Sequence, residues 1–169
     1  MFIVIAGSSN SGKSKKAEEI AVRLAGDDTK IYLATMITYD EEGKKRIEKH
    51  RRMRQGKGFI TVEKPYDILE AFHKTDSHTS KTVLLECAAN LTANEIFEKK
   101  SPMGSDTASK LLEDIISLSK IVKHLVVVTD IFEENDSYSD DTIGYIRTLN
   151  ELNRRLFLAA DEVITDDFV

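Results

Sequence analysis

The chain has 169 residues, a net charge of −5 and one cysteine, with 31% charged and 41% hydrophobic residues. That length suits one core, the acidic balance excludes a general attraction to nucleic acid or an anionic membrane, and a lone Cys87 excludes an intrachain disulfide. No apolar run approaches a membrane span and no charged leader precedes the first residues, so the expected setting is the reducing cytoplasm.

Residues 2–6 form an apolar, β-branched run and read as a buried first strand. It enters Gly7-Ser8-Ser9-Asn10-Ser11-Gly12-Lys13-Ser14, the G-x-x-x-x-G-K-S spacing of a phosphate-binding loop. Such a loop wraps a polyphosphate in backbone N–H groups, and Gly7 and Gly12 supply the permissive backbone. Lys13 is spaced to reach the β- and γ-phosphates and Ser14 to ligate Mg2+. Ala17, Ile20, Ala21 and Leu24 then recur at helical spacing, which brings a helix N-terminus to the same anion.

Residues 30–35 read as a second strand after the turn at Gly26. Strands alternating with helices predict an α/β fold, a single phosphate-loop domain with a mostly parallel sheet covered by helices on both faces. Sites in such sheets lie outside the carboxyl ends of the strands.

Residues 40–57 carry eight cations against four carboxylates, a local net of +4 in an acidic chain. Residues 40–54 have helical composition, acids first and cations last, but only Ile47 and Met53 are large and apolar. A helix so poor in apolar side chains is expected to project from the body or to be covered by a partner subunit. Arg46, His50 and Arg54 lie four residues apart on one face. Such a face suits phosphate, with the guanidinium field holding the imidazole neutral and nucleophilic, and it equally suits a solvated charged surface.

Residues 57–63 read as a strand, 67–72 as a short helix and 74–81 as a polar loop, with His73 and His78 expected in solvent. Residues 82–87 form an apolar strand ending in Glu86, the pattern of the carboxylate on the Mg2+ side of phosphate-loop enzymes, and Cys87 beside it reads as a small core residue. A short helix over 90–97 and a longer one over 106–122 follow, the latter with Ala108, Leu111, Leu112, Ile115 and Ile116 inward. Residues 124–130 are a buried strand ending in Asp130, a second candidate for metal or base work. An acidic loop, a helix over 142–160 and a short strand over 162–165 complete the pattern.

The ordered set of motifs resembles one family, the bifunctional adenosylcobinamide kinase / adenosylcobinamide-phosphate guanylyltransferases. The likeness rests on the phosphate loop; Tyr32-Leu33-Ala34-Thr35; Arg46-Ile47 with His50-Arg51 and Arg54; Thr61-Val62-Glu63; Leu84-Leu85-Glu86-Cys87 with Asn94; and Leu152-Asn153-Arg154-Arg155-Leu156. It implies a RecA-like sheet assembled as a trimer, with ATP or GTP, Mg2+ and adenosylcobinamide as partners. It also implies catalytic roles for His50, Lys13 and Glu86, Mg2+ at Ser14 and Glu86, and nucleotide contacts from residues 7–14, Thr35, Arg46, Arg51, Arg54, Thr61 and Glu63. His50 matches the histidine that carries GMP. Two departures stand out: Phe59 where the family has Trp, and Asp130-Ile131-Phe132-Glu133 where it has Asn-Glu-Val-Gly. Outside that family, the same loop would serve an unrelated small-molecule kinase or a non-catalytic nucleotide-binding regulator.

Overall fold

The computed structural model describes residues 1–72 and 76–165. Six strands, β1 Phe2–Gly7, β2 Lys30–Ala34, β3 Phe59–Glu63, β4 Thr82–Glu86, β5 His124–Asp130 and β6 Glu162–Thr165, form one sheet in the order β3-β2-β4-β5-β1-β6. Every pairing is parallel. The helices are α1 Lys13–Ala25, α2 Glu41–Arg54, α3 Ala88–Phe97, α4 Ser105–Ile121 and α5 Asp140–Ala159, with one 3₁₀ turn at Ile68–Ala71.

Period-two alternation builds two cores from the same strands. Phe2, Val4, Ile31, Leu33, Val83, Leu85, Leu125 and Val127 face one layer with Leu111, Ile115 and Leu118 of α4 and Leu152 and Leu156 of α5. Ile3, Ile5, Tyr32, Leu84, Val126 and Val128 face the other with Ala17, Ile20 and Ala21 of α1. Burial on both faces explains why the central strands read as continuous apolar runs.

The sequence places these elements well, and the differences are local. Helix α3 starts at Ala88, two residues early, because the Cys87 sulfur accepts the Asn90 N–H and caps it. On α4 the fully buried line is Ala108, Leu111, Ile115 and Leu118, with Leu112 and Ile116 only partly covered. His78 is not in solvent: it is 8% exposed, its ring stands edge-on to Phe72 at 5.4 Å, and its Nδ1 is 2.9 Å from Lys81 Nζ. His73 lies outside the described residues. Among the described residues, no helix is long and apolar enough to cross a membrane.

Candidate functional site

Four strand ends converge at the carboxyl edge. The register sets Gly7 beside Asp130 and Ala34 beside Glu86, and the Ile131 N–H donates to the Gly7 carbonyl at 3.0 Å. The loop then closes into α1 through Gly12, whose φ of 91° is a left-handed conformation that a side chain would strain. Lys13 folds back across it: Nζ donates to the Ser8 carbonyl at 2.8 Å and pairs with Asp130 Oδ1 at 2.7 Å. The Ser14 hydroxyl donates to Glu86 Oε1.

Burial pushes the Glu86 carboxyl above its ordinary range, opposed by the Ser14 hydroxyl and then by that of Tyr32. Its Oε2 is buried and, with the Tyr32 hydroxyl nearby, makes no hydrogen bond of standard length and angle. A serine hydroxyl beside a carboxylate with an unspent oxygen is a hard donor set of the kind Mg2+ takes. Ser14 and Glu86 therefore fit the ion. Among the described residues, no group of three or more His, Cys, Asp or Glu is gathered for a metal. An ion that keeps its waters and takes substrate phosphates needs no such group.

Helix α2 lies over this edge. Asp40 caps it, its side chain accepting the Gly43 N–H at 2.7 Å. Gly43, Ile47, His50 and Arg54 form its inward face, and Arg54 is the one buried residue of the helix. The residues of its outer face are exposed. The Arg54 guanidinium sits 3.6 Å from the Tyr32 ring centroid and Nη2 donates to Thr61 Oγ1 at 3.4 Å. One turn earlier, His50 Nδ1, a buried atom with no hydrogen bond, lies 3.7 Å from Glu86 Oε1. The imidazole is held below its ordinary pKa, and burial is the largest cause; Glu18 opposes it, and Arg54, Lys49 and Arg46 reinforce it. The cationic field expected from the helix spacing is thus the smaller contribution.

A cavity of about 520 Å³ joins these parts, walled by the loop from Ser9 to Lys15, the inner side of α2, Glu86 and Asp130. Of the residues expected at a nucleotide, Ser9, Asn10, Ser11, Gly12, Lys13, Ser14, Arg46, His50, Arg51, Arg54, Thr61, Glu63 and Glu86 line it. Gly7 and Ser8 lie behind it, Gly7 as the end of β1 and Ser8 as the acceptor for Lys13. Thr35 is placed differently from expectation. It is fully buried, its hydroxyl donates to the Cys87 carbonyl at 2.9 Å and accepts the Cys87 N–H at 2.8 Å, so it fixes the turn after Glu86 without facing the cavity. Asn94 secures the same corner by donating to the Thr35 carbonyl at 2.7 Å. The Cys87 thiol, pushed up to about 12 by burial, is a core group as read. Arg51 pairs with Glu63 at 3.2 Å on the rim.

Two contributors escaped the sequence. Tyr32 joins Arg54 to Glu86 from the middle of β2. Glu18 is fully buried on α1 and pairs with Lys57 at 2.7 Å, just beyond α2. Its signal was an acid one residue after Ala17 and three before Ala21, on the apolar face of α1.

A parallel sheet with a Lys13 loop, Glu86 facing that loop from the end of β4 and a cavity at its carboxyl edge defines a phosphate-loop nucleotide-binding protein. The fold is shared with an ATPase domain of known structure (TM-score 0.55, 10% identity, 97% of this chain and 68% of that one). It is shared also with the flagellar accessory protein FlaH from Methanocaldococcus jannaschii (TM-score 0.54, 16% identity, 97% of this chain and 70% of that one). The model of the cobinamide kinase / cobinamide phosphate guanyltransferase family matches residues 3–165, and the chain belongs to that family. The bifunctional adenosylcobalamin biosynthesis protein CobU of Escherichia coli (strain K12) is 36% identical over 99 residues, 58% of this chain. That match spans about half (51%) of the relative's length.

Proposed function

We propose that this protein phosphorylates the aminopropanol hydroxyl of adenosylcobinamide with ATP or GTP, and then transfers GMP from GTP through His50 to that phosphate, giving adenosylcobinamide-GDP and pyrophosphate. The observation that carries this reading is a largely buried, neutral imidazole with an unpartnered Nδ1, facing the phosphate-loop cavity. A histidine on a merely solvated helix would have neither that burial nor that neighbour.

In the kinase step the alcohol oxygen bonds to the γ-phosphorus and gives up its proton to solvent, as the bond to the β-phosphate oxygen breaks and the nucleoside diphosphate leaves. Lys13 leaves Asp130 for the phosphates, and the loop N–H groups hold them in line. In the nucleotidyl step His50 attacks the α-phosphorus, an N–P bond forms and pyrophosphate leaves. A phosphate oxygen of the phosphorylated corrinoid then displaces the imidazole. Glu86, facing Nδ1, favours the tautomer with the proton there and leaves the Nε2 lone pair for attack. Mg2+ held by Ser14 and Glu86 would neutralise phosphate charge. Arg46 and Arg51 at the rim are placed to hold phosphates, with Thr61 and Glu63 beside them. The free, buried Cys87 fits a cytoplasmic setting. The outward charged face of α2 fits cover by a second subunit, in a homotrimer as the resemblance implies.

The test is incubation with Mg2+ and GTP labelled at the α-phosphate, with His50→Ala in parallel, followed by peptide mass analysis. A GMP-sized, acid-labile adduct on the His50 peptide, absent from the variant, is the expected result. Nucleotide binding without an adduct would transfer the assignment to a plain kinase or a nucleotide-binding regulator.

A further inference from the structure

Helix α2 has no apolar stripe with which to dock, yet its His50 is set against a particular carboxylate. The contact that does this is aromatic and polar. Tyr32 is 4% exposed and points from the middle of β2 into the α1-side core. Its ring face lies 3.6 Å under the Arg54 guanidinium carbon, and its edge is braced by Phe59 of β3, with centroids 6.2 Å apart and planes at 81°. Its hydroxyl reaches the neighbourhood of Glu86. One side chain thus touches the sheet, the end of α2 and the carboxylate facing His50.

We infer that Tyr32 is the positioning residue of this site: by carrying Arg54 on its ring it fixes the last turns of α2 so that His50 stands against Glu86. Arg54 and His50 are four residues apart on one helix face, so the place of one sets the place of the other. A guanidinium only 8% exposed is largely stripped of water, the condition in which a cation–π contact is strongest. Arg54 is therefore spent on holding the helix, in contrast to Arg46 and Arg51, whose side chains stay exposed on the rim. Lys57, paired with the buried Glu18, secures the chain three residues further on.

The nucleotidyl half of this inference rests on the proposed role of His50, so its test has one readout that does not. Hydrogen exchange across α2 is measured in wild type, Tyr32→Leu, Tyr32→Phe, Arg54→Met and the double variant Tyr32→Leu with Arg54→Met, together with the rate of GMP adduct formation and the KM for GTP. Tyr32→Leu and Arg54→Met are each expected to speed exchange in α2 about tenfold, with the double variant no faster than either, since both remove the same contact. Adduct formation falls by a similar factor while the KM for GTP moves less than about twofold, because the phosphate loop is untouched. Tyr32→Phe keeps the ring, so α2 stays protected and the rate returns to within about threefold of wild type. Wild-type protection of α2 in either disruptive variant, or equal losses in Tyr32→Phe and Tyr32→Leu, overturns the assignment. If Tyr32→Leu does not fold, Arg54→Met and Tyr32→Phe decide it alone. A wild type that forms no adduct sinks the guanylyl-transfer reading, and the exchange data still decide the role of Tyr32.

Discussion

The phosphate loop and helix α2 face each other across one cavity, but they are held by different physics. The loop hangs from β1, where Val4, Ile5 and Ala6 are fully buried, and is tied to β5 at Gly7 by strand register and at Lys13 by the pair with Asp130. Helix α2 is exposed along most of its length and is pinned by Arg54 on Tyr32 and, just beyond its end, by Lys57 on Glu18. Apolar burial spreads its contribution over many side chains, so no single surface change displaces the loop. A helix held by a few polar contacts is sensitive to losing one of them. The geometry of the phosphate loop and the placement of His50 are thereby separable, and substitutions can part them.

The largest effect is expected at the loop. Lys13→Ala removes the charge proposed to meet the triphosphate and should lower GMP-adduct formation by about 10³, roughly 4 kcal/mol, while circular dichroism stays native. An adduct rate within tenfold of wild type would show that the loop does not bind the reacting phosphates. Next comes the core beneath it. Ile115→Ala in α4 creates a fully buried cavity far from the loop and should cost about 2–4 kcal/mol of stability. It should leave the KM for GTP unchanged below the transition, as urea unfolding and initial rates would show.

These two regions were also unequally legible. Strand β1, the loop and α1 could be read because their signals are local: an apolar run, fixed glycines, a lysine and a 3.6-residue stripe. The same held for β4 ending in Glu86 and β5 ending in Asp130, both at the cavity as the sheet rule requires. Helix α2 was legible as a helix from its cap and charge order, but what it docks on was not. Its partners Tyr32 and Glu18 lie 22 and 39 residues from Arg54 and Lys57, and no local pattern carries such pairings. The resemblance implies a nucleotide contact at Thr35, and no local pattern shows that its hydroxyl is engaged by the Cys87 backbone. His78 misled because polar neighbours suggested solvent, and packing on Phe72 overrode them.

A smaller effect sharpens the contrast from the helix side. Glu18→Gln keeps the shape of the side chain but removes the charge facing Lys57, whose amine is partly in water and needs no substitute partner. Exchange in the segment around Lys57 should rise about threefold, with Lys13-dependent nucleotide binding intact. Loss of nucleotide affinity instead would mean that the pin and the loop are one unit.

The smallest effect lies far from both, at the turn before the 3₁₀ segment. Asp67 sits at φ 51° and bonds Lys99 Nζ at 2.5 Å, with Lys110 Nζ at 3.4 Å. The Lys99 hydrogen bond is the main reason its carboxyl titrates below its ordinary value of 3.8. A depressed folded-state pKa contributes stability that is fully present above the unfolded value and is lost as pH falls through the folded one. Asp67→Asn tolerates the left-handed backbone and cannot ionise. Its urea midpoint should therefore lie below wild type at pH 7 and pH 5, and the gap should close as pH drops below 3.8. A gap that stays constant with pH would place the contribution of Asp67 in its backbone conformation and not in its charge.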